Sequence, residues 1–343
     1  MHCRIAAAVD DRCYAPKQVA MLSNVIKVAA VIVVVAACAS AALGNGVTSE
    51  RRAGGLVFKK SDTISIASED LYLSFDEVRV SYIYQSKAAA AQDVTISFPM
   101  PEVPVDDSPD SIVFNDDKIA DVRNYMNFKV RVDGREVHAR LSEVARLRGQ
   151  DVTARLKPAG VPLIFSKGGP DAMQKLSRAT ADALVKDGLF ERSDGDPPSY
   201  DPKWTYQVVF EWEQSFRPGA TKVDISYKPI TGDSVDYGDT YETGRGVQRY
   251  CVDAAFRSAV QRRKAAGGSF DVYTLGYVLK TARFWSGPIG KFRLVVDKGK
   301  PANLVAFCPL NSRKISDTQF EWTATNFSPD RDIEVVFFYA VSN

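Results

Sequence analysis

Residues 63–84 read TISIASEDLYLSFDEVRVSYIY. Thr63 to Ala67, Leu71 to Phe75 and Val78 to Tyr84 each alternate polar and apolar side chains, which sets one face of a strand on a core and the other in water. The alternation recurs outward along the chain. Val94 to Phe98 repeats it and closes at Pro99, which cannot donate to a central ladder. Phe128–Val132 and Arg135–Ala139 flank Asp133-Gly134, the chemistry of a type I′ hairpin turn. Further strands are predicted at Trp204–Trp212 and Lys222–Tyr227, and near Val272–Leu279, Phe292–Val296, Leu304–Phe307, Phe320–Ala324 and Ile333–Tyr339. Short strands at this spacing predict antiparallel β-sandwich modules.

The middle of the chain reads differently. Leu141–Leu147 and Asp151–Leu156 are predicted helical, interrupted at Gly160-Val161-Pro162. Met173, Leu176, Ala179 and Ala183 fall on one face of an amphipathic helix over Asp171–Val185, stopped at Gly188. Asp194–Pro202 reads as a linker, Thr231–Gly246 as a polar loop and Asp253–Ala265 as a basic helix. The expected class is α+β, β-dominated, with antiparallel β-sandwich module(s) and a helical insertion. The expected divisions are residues 1–44, an N-terminal address; 45–140, an N-terminal β-sandwich-like part; 141–200, the helical insertion and linker; and 201–343, a strand-rich C-terminal part.

Residues 21–46, MLSNVIKVAAVIVVVAACASAALGNG, carry the marks of a secretory signal. Lys27 is the positive start, Val28 to Ala37 the apolar stretch, and Ala39-Ser40-Ala41 the small-residue cleavage site. Val28 to Leu43 spans about 24 Å as a helix, short of the roughly 30 Å hydrocarbon core of a bilayer. Arg4, Asp10, Asp11, Arg12 and Lys17 precede it, so Met21 is the expected start and the first twenty residues an over-long reading. Val35-Ala36-Ala37-Cys38 also resembles a bacterial lipobox, which makes lipidation at Cys38 the alternative. The expected location is periplasmic or secreted, or, on that alternative, anchored at the membrane through Cys38.

The whole chain has 343 residues, 44 basic and 42 acidic, with 45% apolar residues. Without residues 1–44 the signs balance at 40 each, which excludes the basic excess of a nucleic-acid binder. Two cysteines then remain, Cys251 and Cys308. In an exported chain they suggest one disulfide, with two free buried thiols as the alternative. One histidine remains, His138, so a His-rich metal site is excluded and a Ser-His-Asp triad has little to build on. No phosphate-loop or dinucleotide fingerprint is present, and no cofactor or resident metal is expected.

The remaining candidates are weak. Trp285, in Trp-Ser-Gly-Pro-Ile-Gly, could be an aromatic ligand platform, but a core plug in a tight turn is the simpler reading. Trp204, Phe210 and Trp212 share a strand face and are expected in the core. Asp233, Asp236, Asp239 and Glu242 have oxygen ligands suited to calcium without the order of a calcium loop. Asp106, Asp107, Asp110, Asp116 and Asp117 are equally unspecific. A glycosidase would need two carboxylates in one cleft; Glu69 with Asp70, or Glu211 with Glu213, are the candidates, the latter pair straddling Trp212 on the opposite strand face.

Taken in order, several short motifs resemble the exported bacterial family known as domain of unknown function 4424. They include Gly54-Gly55-Leu56, Ser68-Glu69-Asp70-Leu71, Phe98-Pro99-Met100-Pro101, Val132-Asp133-Gly134, Gly160-Val161-Pro162-Leu163, Tyr250-Cys251, Trp285 with Gly287-Pro288-Ile289, and Phe307-Cys308. The resemblance covers nearly all of residues 46–340 and implies export without assigning an activity. The family pattern has Asn ahead of that Trp and His ahead of Tyr-x-Pro; this chain has Phe284 and Ser226, which argues against catalysis at either position. The expected function is a non-catalytic binding or structural module of the cell envelope with an envelope component as partner, meeting the membrane only through the signal or a lipid anchor. A carboxylate-based hydrolase of envelope glycans or peptides is the alternative.

Overall fold

In the computed structural model the described residues are 47–52, 55–58, 60–100, 102–105, 122–164, 168–229, 232–234, 245–309 and 311–341. Residues 63–84 contribute two adjacent strands, Ile64–Ser74 and Val78–Ser86, paired antiparallel. They lie at the centre of an eight-stranded sheet in the order Arg313–Lys314, Gln319–Phe327, Ile289–Asp297, Ile64–Ser74, Val78–Ser86, Gly219–Tyr227, Lys129–Val132, Arg135–Val137. All pairings are antiparallel except that of strands 289–297 and 64–74.

The two alternating segments 63–67 and 71–75 belong to one strand with a bulge at Ala67. Ile64 and Ile66 point inward, one extra residue intervenes, and then Glu69, Leu71 and Leu73 point inward, all five at most 3% exposed. A bulge inserts one residue against the partner strand and resets the side-chain phase. Gly290 on the neighbouring strand makes room for it, since a Cβ there would lie 2.6 Å from the Ala67 carbonyl oxygen.

A second, seven-stranded sheet packs on the inner face of the first. Its central strand Thr205–Phe216 lies between Arg140–Leu147 and Gln92–Pro99. Aromatic rings join the layers. Phe128 stacks on Phe210 at 4.1 Å and lies 5.2 Å from Phe98, and Tyr84 meets Phe216 at 5.4 Å. The expected sandwich is present, and the chain is β-dominated α+β. A four-stranded sheet (Gly232–Ser234, Phe270–Tyr277, Ile333–Ala340, Leu304–Phe307) covers more of the same core with Leu275, Tyr277, Val335 and Phe337. Its other face, with Val272, Val336 and Phe338, packs on Phe256 and Val260 of the helix Ala254–Ala265. Asp253 caps that helix by accepting from the Phe256 amide at 2.7 Å.

Three local expectations fail. Residues Arg140–Leu147 form a strand and not a helix, because pairing with strand 205–216 outweighs a charged, helix-tolerant composition. The amphipathic helix is broken into Gly169–Lys175 and Arg178–Lys186, since Ser177 turns extended and accepts from the Thr180 amide as a cap. The linker at 194–202 contains half of a hairpin, Phe190–Ser193 with Ser199–Pro202. The 129–137 hairpin turns as predicted, with positive φ at Asp133 and Gly134, and Cys251 is bonded to Cys308. Among the described residues no helix is long and apolar enough to cross a membrane.

Replacing Gly290 with Ala drives a methyl into backbone that cannot yield cheaply. Gly290→Ala is expected to cost about 2 kcal/mol of stability, read as a lower denaturant midpoint. Ala at Gly276, where nothing lies within 4 Å of the added carbon, is expected to leave the midpoint nearly unchanged.

Candidate functional site

Because the bulge sends Glu69 inward, Asp70 and Tyr72 face solvent on the outer side of the eight-stranded sheet. The register sets a row of polar side chains across five strands: Arg293, Asp70, Ser81, Asp224 and Arg131 are consecutive cross-strand partners. Strands lie about 4.8 Å apart, so the row runs about 19 Å. The adjacent row on the same face holds Tyr72, Arg79, Ser226 and Lys129. These side chains line an open trough of about 500 Å³.

One end of the trough is neutralised. Arg293 forks onto both oxygens of Asp70 at 3.1 and 3.2 Å and reaches Glu321 at 2.9 Å. Hydrogen bonds from Arg313 and then Arg293 hold the Glu321 carboxyl below its ordinary pKa. Asp224 accepts from Ser81 at 2.7 Å and pairs with Lys222 at 3.0 Å. The Arg79 guanidinium lies 4.3 Å from the centre of the Tyr72 ring and 3.4 Å from Glu77. The other end is different. Lys129 and Arg131 are exposed, and among the described residues their side chains make no ion pair or hydrogen bond. Four cations and two carboxylates line the trough, and Glu321, Glu77 and Glu136 stand at its margins beside Arg293, Arg79 and Arg131.

Beneath the trough, Glu69 is 1% exposed. It accepts from the Tyr277 hydroxyl at 3.2 Å, which lies 2.8 Å from the Tyr82 hydroxyl, while its second oxygen has no partner. Burial pushes its pKa up to about 8, partly offset by the tyrosine hydrogen bonds. Glu69 and Asp70 therefore lie on opposite faces of the sheet and do not converge on one cleft. Glu211 is buried, accepting from Ser142 at 3.1 Å and Arg140 at 3.3 Å, while Glu213 on the same strand face is exposed and bonds Thr95 at 2.8 Å.

Trp285 is 2% exposed against Tyr84 at 4.5 Å and Phe216 at 6.0 Å. Trp204 is equally buried, its indole N–H donating to the Leu163 carbonyl at 2.9 Å, and Trp212 lies near Phe128. His138 is exposed, just past the strand Arg135–Val137. Asp233 lies on the strand Gly232–Ser234, opposite Tyr273. Asp236, Asp239, Glu242, Cys38 and the acidic residues from Asp106 to Asp117 lie outside the described residues. Among the described residues no three His, Cys, Asp or Glu side chains form a group able to hold a metal ion.

Sequence reasoning reached Asp70 but missed Arg79, Lys129, Arg131, Asp224 and Arg293. Their only signal is that each is an outward position of an alternating strand. Ser226 is also in the trough.

The model of the family described as a domain of unknown function, DUF4424, matches residues 44–336, and the chain belongs to that family. No curated protein matches it. Among solved structures, one described as "a putative nutrient binding protein" from Legionella pneumophila is similar at a TM-score of 0.45 and 14% identity. That similarity covers 87% of this chain and 70% of the other.

Glu69 predicts a pH dependence of stability. Its carboxyl is ionised above about pH 4.5 in the unfolded chain but keeps its proton to about pH 8 in the fold. Stability is therefore expected to fall between these values by a few kcal/mol, on the order of 1.4 kcal/mol per unit, and to level off above. Below the lower value both states are protonated and the term vanishes. In Glu69→Gln the slope of melting temperature against pH over this range is expected to flatten, measured by thermal denaturation.

Proposed function

We propose that this chain is an exported, non-catalytic binding module of the bacterial envelope, and that it receives its ligand in the outer-face trough. The observation that carries the reading is the pair Lys129 and Arg131, exposed beside Arg79 and Ser226 and making no ion pair among the described residues, although Asp224 and Glu136 are the cross-strand neighbours of Arg131. A solvated sheet face would ordinarily interleave its charges. Here one end of the trough is closed by its own ion pairs, while Lys129 and Arg131 at the other make none among the described residues. The carboxylates considered for hydrolysis are separated by the sheet or engaged by cations and hydroxyls, which supports binding over cleavage.

Export has separate support. Lys27, the apolar stretch from Val28 and Ala39-Ser40-Ala41 have the form of a signal, and the Cys251–Cys308 bond suits an oxidising compartment. Cleavage after Ala41 would release a soluble periplasmic or secreted chain, and lipidation at Cys38 would anchor it.

Two measurements test the proposal. Intact mass of the chain recovered from the envelope fraction is expected to show a start near Ala42 or Asn45, or an acylated start at Cys38, with about two hydrogens gained on reduction. A cytoplasmic chain with its N-terminus intact would overturn export. Soluble envelope extract is expected to raise the melting temperature of the mature chain but not of the folded Lys129→Glu/Arg131→Glu double variant. Equal responses would overturn the trough as the binding site.

A further inference from the structure

On the reading of the trough as a binding site, we infer that its ligand is a phosphomonoester on a hydroxyl-rich body, of the sugar- or polyol-phosphate class. Arg79, Ser226 and Lys129 are consecutive partners on three adjacent strands, and Arg131 follows Lys129 two residues along the same strand. Neighbours on this face are about 5 Å apart across strands and about 7 Å along one. A phosphate seated over Ser226 would meet guanidinium, ammonium and hydroxyl donors from three sides. Arg79 and Arg131 can each present a planar fork to phosphate oxygens, and Lys129 a mobile point charge. Lys129 and Arg131 make no ion pair among the described residues and keep their charges available to a phosphate.

The carboxylates decide what else the ligand carries. Asp224 sits beside Arg131, and Asp70 lies beyond Ser81 in the same row. An acidic peptide laid along the trough would bring several carboxylates against Asp224 and Glu136, whereas a single terminal phosphate can stay over Ser226 between Arg79 and Lys129. A body bearing hydroxyl groups would instead donate to the trough's carboxylates, and its anionic group would remain at the Arg79–Lys129–Arg131 end. The same chemistry could arrive as a free sugar phosphate or as a phosphorylated group on an envelope glycan.

The test titrates the mature, disulfide-bonded chain with glucose 6-phosphate, a phosphomonoester-bearing dextran, glucose, inorganic phosphate and hexaglutamate, read by calorimetry. Both phosphorylated probes are expected to bind, glucose and hexaglutamate to give no heat, and inorganic phosphate to bind at least tenfold more weakly than glucose 6-phosphate. Tighter binding of the dextran than of glucose 6-phosphate would identify the glycan as the source, and the reverse a free metabolite. Lys129→Gln/Arg131→Gln, checked for an unchanged melting temperature, is expected to weaken glucose 6-phosphate at least tenfold. Asp224→Asn is expected to weaken glucose 6-phosphate and leave inorganic phosphate unchanged. If neither phosphorylated probe binds while envelope extract still stabilises the wild type and not the charge-reversed variant, this inference fails and the binding reading stands. If neither the probes nor the extract act through Lys129 and Arg131, both fail.

Discussion

The bulge at Ala67, seated on the bare backbone of Gly290, sets which side of the central sheet faces the core. Side chains in a strand alternate strictly, so one inserted residue exchanges the two faces for everything beyond it. Before the insertion Ile64 and Ile66 are inside; after it Glu69, Leu71 and Leu73 are inside and Asp70 and Tyr72 are outside. Without it Ser68 and Asp70 would enter the core and Leu71 would face water. The buried carboxyl and the trough thus share a cause, and lie on opposite sides of the same few residues.

The two faces are stabilised by different physics. Inside, tyrosine and phenylalanine rings from three sheets interlock, and the Glu69 carboxyl among them is accommodated by a tyrosine hydrogen bond and by retaining its proton. Burying an ionised carboxylate without a cation would cost far more than the surrounding packing could offset. Outside, charges are spaced by strand register and each contributes little to stability, since exposed ion pairs are worth at most about 1 kcal/mol. A face that adds little to folding is free to be arranged for a ligand. That freedom gives Lys129 and Arg131, which make no ion pair among the described residues, their meaning.

Much of the fold was legible in the residues because local alternation and turn chemistry agree with the final packing. The Asp133-Gly134 hairpin, the sandwich with Trp204, Phe210 and Trp212 inside, and the basic helix follow from local signals, and the Cys251–Cys308 bond from the two cysteines that remain after residue 44. Arg140–Leu147 was misread because its composition tolerates a helix and only pairing with strand 205–216, some sixty residues away, makes it a strand. The bulge was hidden because residues 63–67 and 71–75 each alternate correctly; only the odd count between Ile66 and Leu71 betrays the slip. The trough was the least legible part. Its residues come from five strands scattered between positions 70 and 293, each an unremarkable outward position until the register aligns them.

On this account the aligned outer face holds a phosphorylated ligand beside Arg79, Lys129 and Arg131. The most direct measurement is a residue-resolved NMR titration of the mature chain with glucose 6-phosphate. Shift changes concentrated at Arg79, Ser81, Lys129, Arg131, Asp224 and Ser226 are the predicted result. Saturable changes confined to any other part of the molecule, or none at all, would contradict it.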